Sequence, residues 1–519
     1  DLKSSLESKH LHRHNWLRGE VVAWMFTNGV IRLTCRHINN HLFDHGRDLE
    51  DVLPVIGFRL EEAPSIETEL DGSQTRFDWN GFRLNLDEAA TLFGPEHPGR
   101  LERQDDLIIY QPYDGVEIHG DSHRRKREDR FICTAEEKLF PRGVARTLSF
   151  VTSMNGVAPE ISRLVVPDYW YAISGELWPD GALPAHDEEG DRIIQHCEAN
   201  VKERAEKRPR SFDDGVLVRE VWEGEIAYSQ MLYYYLSGDP MFLDISLNDA
   251  YHNADIGFDH ATETIRMHNY PFGAIAPPLY RTVSMLFGYL ETGDPYLREC
   301  AESAAIRYYW IDRHNWPRRS YGRDAASLRS LVFLWDYTGN EDYLNFAREA
   351  IGRCIQCQRE DGSYGDQGGA ISVCGGVANE ITKPWMALLA NDPMVDYHSR
   401  RPDPEILESM KKTGEFLLDA QLEEDGVYYW AYQYAYGDNP GDPWDMKKNP
   451  EDFTRFPAGR SVSGYKARFL PFLTLATDDT RYLEAWMKTF RTFWVEADGA
   501  PKRVGYTSNK VVQNVPYFQ

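Results

Sequence analysis

Two short segments of the chain hold histidine, asparagine, tyrosine and arginine close together, and each opens with a His-Asn pair. Tyrosine and histidine can transfer a proton, whereas arginine, asparagine and protonated histidine can stabilise a developing negative charge. Each segment therefore combines a possible acid/base group with a possible anion-binding group, as functional loops often do. The first segment contains His268, Asn269, Tyr270 and Arg281, and the second contains His314, Asn315, Arg318, Arg319, Tyr321 and Arg323.

A second group of polar residues precedes the first segment, in the sequence HNADIGFDH. Histidine nitrogen and aspartate oxygen are ligands for zinc or calcium, so a metal site is one interpretation. The alternative is that these side chains cap the next element and form hydrogen bonds in the core, and we favour it: no metal and no other cofactor is expected. The residues concerned are His252, Asp255, Asp259 and His260.

The elements that carry these residues fall into two parts. From Glu20 to Ser153, short runs of β-branched and aromatic residues are interrupted by turn signals such as Asn28-Gly29 and Asn80-Gly81, a pattern typical of antiparallel strands. We predict an N-terminal β-sandwich or β-sheet domain over residues 1–185.

From about Asp187 onward the pattern becomes helical and repeats, so residues 186–519 are predicted to form a toroid of helical hairpins. Each repeat is an apolar helix, a small turn and an amphipathic helix with Asp or Asn at its start. Five or six hairpins are expected. The turns centre on Gly238, Gly293, Gly339, Asn391 and Asp478.

The opposite ends of the hairpins carry longer loops with polar and aromatic residues, and we expect these loops to gather on one face. A flexible loop in SYGDQGG holds Asp366 and Gln367. Tyr429 and Trp430 could form a platform for a sugar ring, and Arg460 lies in a further long loop. The predicted substrate contacts are Gln367, Tyr429, Trp430 and Arg460 in these loops, together with Asn269, Asn315, Arg281 and Arg318.

Composition excludes some classes of function. The net charge of −25 argues against a general nucleic-acid-binding protein. No run of 18 apolar residues occurs, so no membrane span is expected, and the compartment, periplasmic, secreted or cytoplasmic, stays open. Seven scattered cysteines with one isolated CxxC, Cys354 and Cys357, predict buried helix cysteines and no zinc or redox motif. A homo-oligomer is possible.

The turns of the type TGDP and the helix ends of the type QxxDGxY resemble the (α/α) toroids of the six-hairpin glycosidases, over about Asp213 to the C-terminus. Upstream, the RGVART stretch at 142–147 and the PDYWYAISG stretch at 167–175 are similar to the exo-rhamnogalacturonan lyase-like family. This resemblance implies a β-domain followed by a toroid and an enzyme that acts on a polysaccharide containing uronic acid.

Within that resemblance β-elimination is the expected reaction. A base removes the proton next to the uronate carboxylate, and we predict Tyr270 or Tyr321 for this role, with one of the two histidines as its partner. Arg319 or Arg323 would bind the carboxylate. The alternative is that the His-Asn pair at 314–315 only ends a helix and that the arginines pair with surface carboxylates.

Glycoside hydrolysis is the second hypothesis, and it requires two carboxyl groups at the scissile bond. We predict Asp255 and Asp366 as this pair, although the chain has 82 acidic residues and some will lie in any cleft by chance. A third hypothesis is a protein that binds a glycan on the toroid without cleaving it.

Overall fold

The computed structural model describes residues 17–39, 49–50, 56–59, 76–79, 82–86, 100–104, 107–111, 139–140, 145–153, 195, 198–199, 202, 226–265, 282–315, 323–366, 381–382, 384–424, 426–430, 434–435 and 468–497. Among them no helix is both long and apolar enough to cross a bilayer.

The N-terminal strands form antiparallel sheets. The largest sheet has five strands in the order β1-β2-β10-β6-β5. Its strands are β1 (Leu17–Met25), β2 (Val30–Asn39), β5 (Arg76–Trp79), β6 (Phe82–Leu86) and β10 (Ala145–Ser153). The predicted β1–β2 hairpin is confirmed: Gly29 has a φ of 84°, and Asn28 Oδ1 accepts the N–H of Val30 at 3.1 Å.

Smaller sheets complete this part of the chain. β4 (Ile56–Arg59), β8 (Leu107–Gln111) and β7 (Arg100–Gln104) form a three-stranded sheet, and β3 (Leu49–Glu50) pairs with β9 (Leu139–Phe140). The antiparallel strands agree with the sequence. A sandwich of two packed sheets is not confirmed.

Ten helices in the described residues form five consecutive hairpins. In chain order they are α1 (Ile226–Ser237), α2 (Pro240–His252), α3 (Val283–Thr292), α4 (Pro295–Asn315), α5 (Arg329–Thr338), α6 (Glu341–Gln356), α7 (Pro384–Arg400), α8 (Pro404–Ala420), α9 (Phe469–Thr477) and α10 (Thr480–Ala497). A π-helical turn (Asn253–Gly257) follows α2, and a 3-10 helix (Arg323–Leu328) leads into α5.

The helices lie in two layers, which is the arrangement of an (α/α) toroid. The first helix of each hairpin contacts the first helix of the next, so α1, α3, α5, α7 and α9 form the inner layer and the even-numbered helices the outer layer. Aromatic rings join the inner helices: Tyr228 of α1 lies 5.0 Å from Phe287 of α3 and 5.8 Å from Phe333 of α5, between ring centroids.

The hairpins have two different ends. At the short-turn end, each inner helix passes to its outer helix through Gly238, Gly293, Gly339, residues 401–403 or Asp478, and the four named residues have a positive φ between 58° and 71°. The long-loop end is the end at which the inner helices α3, α5, α7 and α9 begin. The predicted alternation of short turns and long connections is therefore confirmed for these hairpins.

One predicted turn is wrong. Asn391 lies inside α7, which continues through Pro393 to Arg400, and the turn to α8 follows at 401–403. Asn391 is buried, and its Nδ2 donates to the carbonyl of Ala387 at 2.8 Å. The Asn-Asp-Pro sequence suggests a turn, but burial of this helix overrides that local preference.

The CxxC sequence lies at the end of α6. Cys354 is buried and is not part of a disulfide, whereas Cys357 follows the helix and is disulfide-bonded. The two cysteines therefore do not pair with each other. The expectation of two buried helix cysteines holds for Cys354 only.

Candidate functional site

A small three-stranded sheet brings segments of different long connections together. β13 (Gly365–Asp366) pairs with β14 (Ile381–Thr382), and β14 pairs with β17 (Tyr434–Ala435), all antiparallel. β14 ends at Thr382, and α7 begins two residues later at Pro384. This sheet therefore lies at the long-loop end. The backbone of Asp366 is thus placed where the sequence predicted that loops would gather.

Three inner helices, α3, α5 and α9, begin at this end without side-chain caps. Thr282 precedes α3 and Arg468 precedes α9, and neither side chain makes a capping hydrogen bond; α5 continues directly from the 3-10 helix. The first N–H groups of a helix have no intrahelical acceptor, and they give its N-terminus a partial positive charge. The long-loop end therefore favours an anionic group.

The outer helices, which begin at the short-turn end, are capped in the usual way. An Asp or Asn side chain accepts an N–H of the first turn in every outer helix, at 2.9–3.1 Å. The acceptors are Asp239, Asp294, Asn340, Asp403 and Asp479.

A buried ion cluster joins the starts of α5 and α9 to the C-terminal third of α7. Asp396 of α7 accepts from Arg329 of α5 at 2.6 Å and from Arg468, before α9, at 2.5 Å. Arg329 and Asp396 are each 1% exposed, and the Arg329 guanidinium lies 5.7 Å from the ring centroid of Tyr228. Three inner helices are joined through one carboxylate.

Burial alone would raise the pKa of the Asp396 carboxyl. The charges of Arg329, Arg468 and Arg400 and the hydrogen bond from Arg468 outweigh this effect and hold the pKa well below its usual range. Asp396 is therefore ionised and fully engaged, so it stabilises the helices and is not available as an acid/base group.

Asp255 lies at a different place from the one expected of a catalytic carboxylate. It sits in the π-helical turn after α2 and has no exposed surface. Its Oδ2 accepts the N–H of Thr147 at 2.6 Å, and its Oδ1 accepts the hydroxyls of Thr147 at 2.8 Å and Tyr296 at 2.7 Å. Tyr296 is in the first turn of α4, so Asp255 joins the end of α2 to the start of α4.

The surroundings of Asp255 form a junction between the five-stranded sheet and the helices. Arg36 of β2 donates to the Thr147 hydroxyl at 2.9 Å and to Asp294 at 2.6 Å. Its guanidinium also lies 3.6 Å above the Tyr296 ring. A Cβ on Gly293 would come within 3.1 Å of the Trp24 side chain of β1, so the sheet covers the α3–α4 turn closely.

Burial raises the pKa of the Asp255 carboxyl, while the Arg36 charge and the hydrogen bonds from Tyr296 and Thr147 lower it. The Thr147 hydroxyl accepts from Arg36, so its single proton must go to Asp255. All of these neighbours donate, so Asp255 serves as an acceptor that docks the sheet onto the helices. The predicted catalytic role of Asp255 receives no support from this geometry.

The metal interpretation of the same stretch is not supported either. His260 Nε2 lies 2.9 Å from the carbonyl oxygen of Ala254 and 3.0 Å from the Tyr296 hydroxyl. Asp259 Oδ1 accepts the N–H groups of Ala261 and Thr262. Within the described part of the chain, no group of three or more His, Cys, Asp or Glu side chains could hold one metal ion.

The expected sugar platform at Tyr429 and Trp430 is not formed. Trp430 has no exposed surface, and its Nε1 donates to the carbonyl of Leu417 at 2.8 Å; Tyr429 is also buried. A ring that stacks on a sugar must present a face to the ligand. Both rings belong to the core, because the turn after β15 (Leu422–Glu424) brings β16 (Val427–Tyr429) back against α10, and Trp430 then bonds to α8.

Most residues of the two His-Asn segments lie outside the described part of the chain. His314 and Asn315 are the last two residues of α4, and Arg323 begins the 3-10 helix; only their backbones are described, as for Asp366. The predicted residues outside the description are His268, Asn269, Tyr270, Arg281, Arg318, Arg319, Tyr321, Gln367 and Arg460.

Sequence reasoning missed Arg329, Asp396 and Arg468. Each is a charged residue within an otherwise apolar inner helix or directly before one, as in SLRSLVFLW and KARFLPFL. A charge in such a position must be paired when the helix is buried. That signal could have predicted a buried ion cluster, but not which residues pair.

Comparison with known proteins finds no family model that matches the chain and no curated protein that matches it. Solved structures do match. An unsaturated glucuronyl hydrolase specific for heparin is 11% identical, with a TM-score of 0.44, over 63% of this chain and 96% of that one. The unsaturated glucuronyl hydrolase of Streptococcus agalactiae is 14% identical, with a TM-score of 0.42, over 66% and 95%.

A family 88 glycosyl hydrolase from Bacteroides vulgatus also matches, at 14% identity and a TM-score of 0.42, over 64% of this chain and 98% of that one. These names belong to hydrolases, so they lend nothing to the expected lyase. TM-scores below 0.5 do not establish a shared fold, and the toroid assignment therefore rests on the helices of this chain.

Proposed function

We propose that the protein is an enzyme that cleaves a glycosidic bond in an acidic saccharide, at the long-loop end of its helical toroid. One observation carries this proposal: the inner helices α3 and α9 begin there without side-chain caps, whereas every outer helix is capped. A chain with a net charge of −25 repels anions in general, so a local positive end is needed to admit one.

Hydrolysis is the proposed reaction, with Asp366 as one of its two carboxyl groups. The pairing of β13 with β14 supports this role because it holds the Asp366 backbone directly before the start of α7. Asp255 is not proposed as the second carboxyl group, because its oxygens already accept hydrogen bonds at the sheet junction. The second group remains to be found by substitution of the acidic residues near Asp366.

The solved structures described above supply a substrate to try, and no argument for the activity. When the glycosidic bond of an unsaturated glucuronyl disaccharide is hydrolysed, the released unsaturated uronic acid opens to a keto form, and the ultraviolet absorbance of the conjugated double bond is lost. A saturated uronic-acid polysaccharide gains that absorbance when it is cleaved by β-elimination. One spectrophotometric assay therefore separates the two reactions.

The test compares Asp366→Asn with Asp361→Asn, which makes the same exchange five residues earlier. Asp361 Oδ1 accepts the N–H and the hydroxyl of Ser363, and asparagine can keep both contacts. We expect Asp366→Asn to lower kcat by at least about 100-fold, as loss of a catalytic acid or base does. The Asp361→Asn variant should keep wild-type activity.

Two results would overturn the proposal. A gain of absorbance on saturated polysaccharides that is lost in Tyr270→Phe or Tyr321→Phe would establish β-elimination. Binding of acidic saccharides with no cleavage of any of them, by either assay, would establish a glycan-binding protein instead.

A further inference from the structure

The N-terminus of α3 is buried and has an unused hydroxyl. Thr282, Val283 and Ser284 are each at most 2% exposed. Thr282 stands at the N-cap position, where its side chain could accept an N–H of the first turn, but it makes no such bond. The Thr282 Oγ1 atom is buried and has no hydrogen-bond partner among the residues that the structure describes.

This arrangement is unfavourable in the absence of a ligand. A buried hydroxyl without a partner loses its hydrogen bonds to water and gains none in return. Helix geometry also leaves the N–H groups of the first turn without intrahelical acceptors, and the first intrahelical bond of α3 runs from Leu286 N to Thr282 O, at 3.1 Å. Donors and a hydroxyl therefore converge on one buried point.

The described side chains around this point are hydroxyls, an amide and a paired arginine. The backbone N–H of Thr282 donates to Ser330 Oγ at 3.1 Å, which fixes α3 beside the start of α5. The adjacent Arg329 is paired with Asp396, so that carboxylate is neutralised. Asn253 Nδ2 lies 3.5 Å from Ser284 Oγ and adds another donor side chain near the first turn.

We propose that the N-terminus of α3, with Thr282 Oγ1, binds the anionic group of an acidic sugar, a carboxylate or a sulfate. Helix N-termini bind such groups through their free N–H groups and the helix dipole. This inference rests on the proposed function and identifies the part of the site that would select an acidic substrate over a neutral one.

The test is isothermal titration calorimetry of the full chain with methyl glucuronoside, methyl glucoside and inorganic sulfate. Thr282→Val removes the hydroxyl and keeps the side-chain shape, whereas Thr282→Ser keeps the hydroxyl. Thr292→Val is the matched control at the other end of α3, where the Thr292 hydroxyl donates to the carbonyl of Gly288. Circular dichroism confirms folding of each variant.

We expect Thr282→Val to weaken binding of the glucuronoside by about tenfold or more, the effect of losing one hydrogen bond to a charged group. Binding of the glucoside should not change, and Thr282→Ser and Thr292→Val should bind both sugars as the wild type does. Sulfate binding with the same dependence on Thr282 would define a general oxyanion site, and its absence a carboxylate site.

The inference fails if Thr282→Val weakens the binding of both sugars equally, or if it weakens the binding of neither. It also fails if the wild type binds none of the three probes. The outcome is separable from that of the proposed function. Cleavage that is unaffected by Thr282→Val would leave the function standing without this site. Binding of glucuronoside that depends on Thr282, with no cleavage of any saccharide, would leave the site standing without the enzyme.

Discussion

The two ends of the helical hairpins differ in how their polar groups are used. At the short-turn end, helix caps and the sheet junction engage the polar side chains with one another, as Asp255 and Arg36 illustrate. At the long-loop end, by contrast, α3 begins with the buried hydroxyl of Thr282, which has no hydrogen-bond partner among the described residues. The polar groups at the short-turn end stabilise the fold, whereas the hydroxyl at the start of α3 could bind a ligand.

The largest effect should come from the ion cluster. Asp396→Ala leaves Arg329 buried without its carboxylate, and breaking a buried ion pair by removing one partner lowers the free energy of unfolding by about 3–5 kcal/mol. Urea unfolding followed by tryptophan fluorescence measures the loss. A loss below about 1 kcal/mol would show that the cluster does not hold the three inner helices together.

The stability that the Asp396 cluster contributes should depend on pH. The pKa of Asp396 is depressed in the folded state, so its stabilisation is present above the unfolded-state pKa of about 4 and is lost as the pH falls below that value. The melting temperature of the wild type should therefore fall more steeply with acid than that of Asp396→Asn. Parallel curves for the two proteins would contradict this account.

The sheet junction should show an intermediate effect. Asp255→Asn removes the negative charge beside Arg36 and replaces an acceptor oxygen by a donor, so a group that now donates to Asp255 must reorient or lose its acceptor. We expect a loss of about 1–3 kcal/mol in the free energy of unfolding. Cleavage of saccharide per folded molecule should stay at the wild-type level. Loss of cleavage with unchanged stability would show that Asp255 is catalytic and that its role is not to dock the sheet onto the helices.

A single outer-helix cap should matter less. Asp239→Ala removes the acceptor for the Met241 N–H at the start of α2, and such caps contribute about 1 kcal/mol. The melting temperature should fall slightly, with no change in the affinity for methyl glucuronoside. An altered affinity would show that the short-turn end also takes part in binding.

Thr282→Val should give the smallest change in stability. Its hydroxyl makes no hydrogen bond, so the free energy of unfolding should stay within about 0.5 kcal/mol of the wild type or rise. Thermal unfolding of Thr282→Val beside Asp239→Ala sharpens the comparison: the cap variant loses stability and keeps affinity, and the threonine variant does the reverse. A clear loss of stability in Thr282→Val would identify a structural hydroxyl.

The local features of this protein follow from short stretches of its amino-acid sequence. Gly293 and Gly339 end their helices because a left-handed residue is needed there, and Asp403 and Asn340 begin helices because their side chains reach the next N–H groups. The Asn-Gly hairpin between β1 and β2 follows from the same kind of short-range chemistry. Each of these features needs only residues close together in the chain.

The partners and the exposure of the polar residues depend on tertiary structure. Asp255 is occupied by Thr147, 108 residues away, and Trp430 is covered by helices that follow and precede it. The Asn-Asp-Pro sequence at 391–393 stays helical because its helix is buried in the inner layer. Burial depends on contacts between distant segments, so a pattern of residue types could indicate an acid, a platform or a turn but could not show which side chains the fold would leave accessible.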